Sequence, residues 1–238
     1  MKRFFAVLFL LVALLPLSVY AADSDDALIQ RGYPQDYLGS LINEQKEWLR
    51  EFAEGYDVEC IFTREIKPMT SYEPYVTVAV ASVKRNRYLV TGDYSWAATP
   101  STCEEDYVAV PWDETQFGFY GEFIARDWAK SDGIWQCTAE TIDYELTPYG
   151  VLYYCSPTPD TDSLCGTAHF LVSTHSGTTV ETANFDSIKA GYFHALSEEE
   201  QLLQDREVRD MGLKYVGAIL LLLFAPVIWA LAKSFKKE

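Results

Sequence analysis

Apolar positions along this chain change rhythm three times, and each rhythm predicts a different kind of element. Between residues 34 and 54, Leu38, Leu41, Ile42, Trp48, Leu49 and Phe52 recur at helical spacing. Pro34 suits a first helical turn, while Gly39 and Ser40 break the run and Asn43 offers a cap, so two short helices or one bent helix are expected. Their apolar stripe needs a surface to lie on, and the sheet that follows is the candidate. After Gly55 the period drops to two. Val58–Ile66, Tyr75–Val83, Arg87–Trp96, Tyr107–Trp112, Phe117–Trp128, Ile134–Leu146, Val151–Cys155, Ala168–Thr174 and Ala190–His194 are rich in β-branched and aromatic residues. Turn signals such as Lys84-Arg85-Asn86, Ser131-Asp132-Gly133 and Thr147-Pro148-Tyr149-Gly150 separate them. Short strands without helical patterns between them predict a mainly β fold, an antiparallel β-sandwich over residues 57–196. A leader and the helical element fill residues 22–56, with the small, acidic stretch Ala22–Ile29 expected to be mobile. Ser197 followed by Glu198, Glu199 and Glu200 resembles a capped helix start, and residues 197–213 read as an acidic helical stalk.

The third rhythm is continuous apolarity, at both ends. Residues 1–21 carry Lys2 and Arg3, an apolar run from Phe4 to Leu15, then Pro16 and the small-residue step Val19-Tyr20-Ala21, the order of a cleavable secretory signal peptide. Tyr215 to Ala232 is eighteen residues without a charge, flanked by Lys214, Lys233, Lys236 and Lys237. As a helix it would be about 27 Å long, close to the roughly 30 Å hydrocarbon thickness of a bilayer. The sequence therefore predicts one C-terminal transmembrane helix over 214–233 with a lysine-rich cytoplasmic tail at 234–238. The result is a single-pass type I protein of the cell membrane, its N-terminal domain extracytoplasmic.

Charge fits that orientation. Of 35 acidic and 19 basic residues, 34 and 13 fall between positions 22 and 213, leaving the outer part at −21. Such a field repels nucleic acid and anionic lipid, so no nucleic-acid partner is expected. The five cysteines, Cys60, Cys103, Cys137, Cys155 and Cys165, all lie in this exported part, where disulfides persist. The preferred pair is Cys155 with Cys165, because it would close the proline-containing loop between them, worth roughly 2–3 kcal/mol.

Arg31-Gly32-Tyr33-Pro34, followed by Tyr37-Leu38, Leu41 and Glu44, resembles the opening segment of uncharacterised exported, membrane-anchored proteins of Gram-positive intestinal bacteria. The resemblance covers fewer than thirty residues. It implies a helical element before a sheet domain and carries no activity or site residues. Many exported proteins of that origin end in a sortase signal; no Leu-Pro-x-Thr-Gly precedes the apolar segment here, which favours anchoring by the helix itself.

Catalytic signatures are sparse. His169, His175 and His194 lack zinc spacing, and Cys155, Cys165 and His169 would make three ligands only if the thiols were not bridged. Gly-x-Ser-x-Gly and glycine-rich phosphate loops are absent. Thr174-His175-Ser176-Gly177 places an imidazole beside a hydroxyl at a strand end, which a turn explains as well. Asp160-Thr161-Asp162 resembles part of a calcium loop without its glycine and glutamate, so no cofactor is expected beyond weak Ca2+ binding by exposed carboxylates. Lys84, Arg85 and Arg87 form a basic island, read as a solubilising hairpin tip or a contact to an anionic surface. Aromatics make up 15% of the chain; most are expected in the core, since antiparallel strands bury one face, and a minority at the surface. Trp112-Asp113-Glu114, with Trp128 and Asp132, place rings beside acids at sheet ends and are the candidate binding residues, suited to a sugar or a peptide side chain; tryptophans capping the core are the competing account. The leading expectation is a non-enzymatic binding or interaction module whose extracellular ligand is not specified. The alternatives are a surface hydrolase of glycans or peptides using an acid pair or His175, and an accessory subunit of a membrane complex.

Overall fold

A computed structural model describes residues 25–68, 73–96, 106–155, 161–176, 178–179 and 181–194. The expected signal peptide, stalk, transmembrane helix and tail, together with Cys103, Asp160 and most of the loop after Cys155, lie outside the described residues. Among the described residues no helix is long and apolar enough to cross a membrane.

Residues 25–30 are helical (α1), and Leu28 within them is fully buried, so the latter part of the expected mobile leader belongs to the fold. One leucine and a 2.9 Å ion pair between Asp25 and Lys46 fix it against the neighbouring helix, a long-range contact that local composition does not reveal. Gly32 then turns the chain at φ +84°, and a Cβ there would stand 2.8 Å from the carbonyl oxygen of Cys60. Helices α2 (Gln35–Ser40) and α3 (Asn43–Tyr56) follow with the expected break between them. The cap of α3 is Ile42 rather than Asn43: the Ile42 N–H donates to Gln45 Oε1 at 3.1 Å, so a side chain three residues inside the helix satisfies it. Asp57 ends α3 in the left-handed region at φ 52°.

Among the described residues ten strands form two antiparallel sheets: β1 (Glu59–Ile66), β2 (Tyr75–Val83), β3 (Arg87–Trp96), β4 (Tyr107–Pro111), β5 (Phe117–Ser131), β6 (Ile134–Thr141), β7 (Glu145–Thr147), β8 (Gly150–Tyr154), β9 (Ser163–Thr174) and β10 (Gly191–Phe193). The larger sheet has the order β1-β2-β3-β9-β5-β6 and the smaller β10-β4-β8-β7. The two sheets share one core, in which Val78, Val90 and Phe170 meet Val110, Val151 and Tyr153. On the other face of the larger sheet, Ala79, Leu89 and Leu171 pack against Leu38, Leu49 and Ala53 of the helices. The helical stripe thus finds the surface it requires. It also covers the central strands on both faces, which is why β2, β3 and β9 are buried along nearly their whole length, polar residues such as Thr91, Asp93, Thr167 and His169 included.

Ile134–Leu146, expected as one strand, divides into β6 in the larger sheet and β7 in the smaller. Residues 142–144 carry the chain between sheets, and alternation alone cannot show that the partner changes. Strand β9 begins five residues before the expected start, because Ser163 to Thr167 pair with β5 from Lys130 back to Arg126. Asp132 (φ 52°) and Gly133 (φ 78°) form the β5–β6 hairpin turn, as Asp-Gly between strands predicts.

The four described cysteines are free thiols. Cys155 is in the core between the sheets and Cys165 is under the helices, beside Trp48 and Trp128. The larger sheet separates them, so the expected Cys155–Cys165 bridge is not formed.

Candidate functional site

Strand β4 ends at Pro111, and past that end the smaller sheet leaves part of the larger one uncovered. The resulting open cleft, about 510 Å³, is lined by Trp112, Glu114, Phe119, Leu146, Pro148 and His175 among others. Leu146 faces the same way as its partner Val151 yet is half exposed, and it forms the apolar wall. His175 follows β9 and covers Gly118, where a Cβ would stand 3.1 Å from the imidazole Cε1. Its Nε2 is 3.0 Å from the carbonyl oxygen of Glu114. A carbonyl only accepts, so this contact places the proton on Nε2 and leaves Nδ1 as the acceptor when the ring is neutral.

The sequence candidates divide. Trp112 and Glu114 line the cleft, but Trp112 is 5% exposed, with its ring packed on Phe170, and offers little open ring surface. Asp113 is committed to its own turn: Oδ1 accepts from the hydroxyl (2.7 Å) and backbone N–H (2.9 Å) of Thr115, and Oδ2 accepts from Gln116 Nε2 (2.6 Å). These donors, the Thr115 hydroxyl first, hold its carboxyl below the usual range. Trp128 is buried under the helices in an edge-to-face contact with Trp48 at 5.7 Å, and Asp132 is at a hairpin tip. Neither joins the cleft. For both tryptophans, core packing is what the structure shows. The basic island is a hairpin tip, with Lys84 paired to Asp57 at 3.6 Å and Arg87 over the Tyr120 ring at 4.8 Å.

Sequence reasoning missed a second hollow, beneath α2. Thr77, Asp93 and Thr167 stand opposite one another on β2, β3 and β9, one row on the helix-covered face. Asp93 Oδ2 accepts from the Tyr37 hydroxyl at 2.7 Å and more distantly from Thr77 at 3.5 Å. Its Oδ1 accepts from the Thr167 hydroxyl at 2.6 Å, and Thr167 in turn accepts from Gln45 Nε2 at 2.8 Å. Asp93 is 4% exposed and borders a cavity of about 260 Å³. Burial pushes its carboxyl up to about 6, against the pull of the three hydroxyls. The available signal was the one charged residue in the stretch Tyr88–Trp96, an acid near the middle of a strand.

Three further polar groups belong to the scaffold. His169, fully buried beside Thr91 (3.0 Å) and between the rings of Trp48 and Phe52 (4.4 Å each), is driven down to about 3 by burial and, secondarily, by the Arg126 charge. On the opposite face, Tyr94 reaches across Gly166 to donate to Asp127 at 2.7 Å; a Cβ on Gly166 would collide with both, at 2.3 and 2.6 Å. At the other end of β4, Asp106 accepts from Tyr192 and pairs with His194 Nδ1 at 2.7 Å, tying β10 to the smaller sheet. Among the described residues no group of three or more His, Cys, Asp or Glu side chains is placed to hold a metal ion. Neither a protein-family model nor a curated protein matches this chain.

Proposed function

We propose that this is an exported, single-pass membrane protein whose extracytoplasmic β-sandwich is a non-enzymatic binding module, with its ligand held in the cleft beside Trp112. The observation that carries the reading is the cleft itself, an open hollow of about 510 Å³ with an apolar wall from Phe119 and Leu146 and polar groups from Glu114 and His175. Its size is that of small-molecule and side-chain sites, and its mix of one apolar wall with a few hydrogen-bonding groups suits a sugar or a peptide side chain. The apolar segments at the two ends supply export and tethering. A glycan and peptide array probed with the full chain in mild detergent tests the reading. Wild type should retain a ligand that Leu146→Arg loses, with an unchanged near-ultraviolet spectrum. Binding indifferent to Leu146→Arg, Glu114→Gln and His175→Ala would refute the assignment of the cleft.

One observation favours the hydrolase alternative, because Asp93 is a carboxyl with a raised pKa at a cavity wall. Its oxygens are occupied by hydroxyl donors from Tyr37 and Thr167, an arrangement that favours holding a charge over transferring a proton. Turnover of an arrayed glycan or peptide, abolished by Asp93→Asn, would establish the enzyme instead.

A further inference from the structure

The hollow under α2 is separate from the Trp112 cleft and has an electrostatic defect. Every hydrogen bond to Asp93 comes from a neutral hydroxyl: Tyr37, Thr167 and, at longer range, Thr77. Because Gln45 donates to the Thr167 oxygen, the Thr167 proton is the one directed at Asp93, and the whole chain of donors is oriented toward a carboxylate rather than a carboxylic acid. Among the described residues, no lysine, arginine or histidine forms an ion pair with Asp93. A carboxylate buried to 4% exposure without a counter-charge is costly, and proteins ordinarily resolve the cost by pairing it. Here the carboxylate borders a cavity.

That space is about 260 Å³, with Glu65, Tyr75 and Ser40 among its walls. A second hollow of about 180 Å³ adjoins it through Ser40, Thr77 and Glu65 and adds Asp36. Two cations stand near this rim among the described residues: Arg64 is directed to Asp186, whose backbone oxygen it meets at 3.4 Å, and the exposed Lys67 reaches Glu65 at 3.9 Å, leaving Asp93 and Asp36 without an ion pair. The walls are therefore acidic, with the exposed Tyr75 ring beside them, a combination that suits a positive charge on an alkyl body.

We infer that the hollow beneath α2 binds a small organic cation carrying a primary ammonium, with the Asp93 carboxylate as its counter-ion and Glu65 at the mouth. The ammonium would supply the missing charge and three donors, while the methylene body lies against Leu41 and Tyr75. Titration calorimetry of the full chain in mild detergent at pH 7.5, with 1,5-diaminopentane as the probe and 1-pentanol as its neutral counterpart, tests this. Saturable binding of the diamine that is at least tenfold tighter than any binding of the alcohol is expected. It should weaken as salt rises and as pH falls through about 6, where Asp93 gains a proton. Asp93→Asn should weaken it at least tenfold. If that variant does not fold, Ser40→Trp, at an exposed position on the rim of both hollows, should block the probe, and Glu65→Gln should weaken it a few-fold. Equal binding of diamine and alcohol, binding of CaCl2 without the diamine, or diamine binding unchanged in all three variants would each overturn the inference. None of these readouts involves Leu146 or His175, so failure here leaves the Trp112 cleft to its own test.

Discussion

Two buried titratable groups pull the acid stability of this fold in opposite directions, and removing either one should expose the other. His169 titrates near 6.5 when unfolded and near 3 when folded among Trp48, Phe52, Thr91 and, at a distance, Arg126. Between those values the unfolded chain binds the extra proton, so stability is lost as pH falls. Asp93 runs the other way. It titrates near 3.8 unfolded and near 6 folded, facing Tyr37, Thr77 and Thr167, so in that window the folded chain binds the proton and stability rises as pH falls. One pH unit inside either window is worth about 1.4 kcal/mol. From pH 7 to 4.5 the histidine therefore costs about 3 kcal/mol and the aspartate returns about 2, an order-of-magnitude balance close to zero. Urea unfolding of the full chain in mild detergent, followed by tryptophan fluorescence at both pH values, reads the change directly. Relative to wild type, His169→Leu should shift the pH 7 to 4.5 response by about 3 kcal/mol toward stability, and Asp93→Asn by about 2 kcal/mol away from it. Comparing responses rather than absolute stabilities removes the packing cost of each substitution. Identical responses in the three proteins, or shifts of the opposite sign, would refute the assignment.

Other expectations follow from packing. Gly166→Ala should destabilise by at least about 1–3 kcal/mol in the same assay, because the new methyl meets the Tyr94 ring and Asp127 within a row that cannot move apart; a neutral effect would mean that the Tyr94–Asp127 bond is absent. Trp48→Ala removes the ring that joins α3 to Trp128 and His169 and should cost about 3–5 kcal/mol, whereas a loss under 1 kcal/mol would show that the helices are not docked on the sheet. Of the four described thiols, only Cys137 is exposed; mass mapping should find it alkylated without denaturant and Cys60, Cys155 and Cys165 alkylated only with it. Failure of Cys155 and Cys165 to react in denaturant without a reductant would restore the bridge that the sequence suggested.

Much of the fold was legible because its strands are bounded by strong turn chemistry. Tyr75–Val83 and Arg87–Trp96 end where the pattern says, since Lys84-Arg85-Asn86 supplies two residues with positive φ for the hairpin. Boundaries failed where a tertiary partner overrode a local signal. Leu28 is one buried leucine in an acidic stretch, and Cys165-Gly166 reads as a loop until Trp128 and Asp127 are seen opposite it. The switch of sheets after Thr141 leaves no mark in the alternation at all. The site was half legible: Trp112 and Glu114 border the cleft, while Phe119 and Leu146 are ordinary strand residues until the smaller sheet stops short of them. Asp93 was hidden because its donors, Tyr37, Thr77 and Thr167, come from a helix and two other strands. The cysteine pairing failed for a related reason, as chain proximity could not show that a sheet passes between Cys155 and Cys165.

The account depends above all on the domain being held outside the cell. A membrane-impermeant biotin maleimide added at pH 8 to intact producing cells measures this, because Cys137 is exposed on the domain surface. Labelling of intact cells that Cys137→Ser reduces, and that lysis does not increase, is the predicted result. Labelling of Cys137 that appears only after lysis would contradict it.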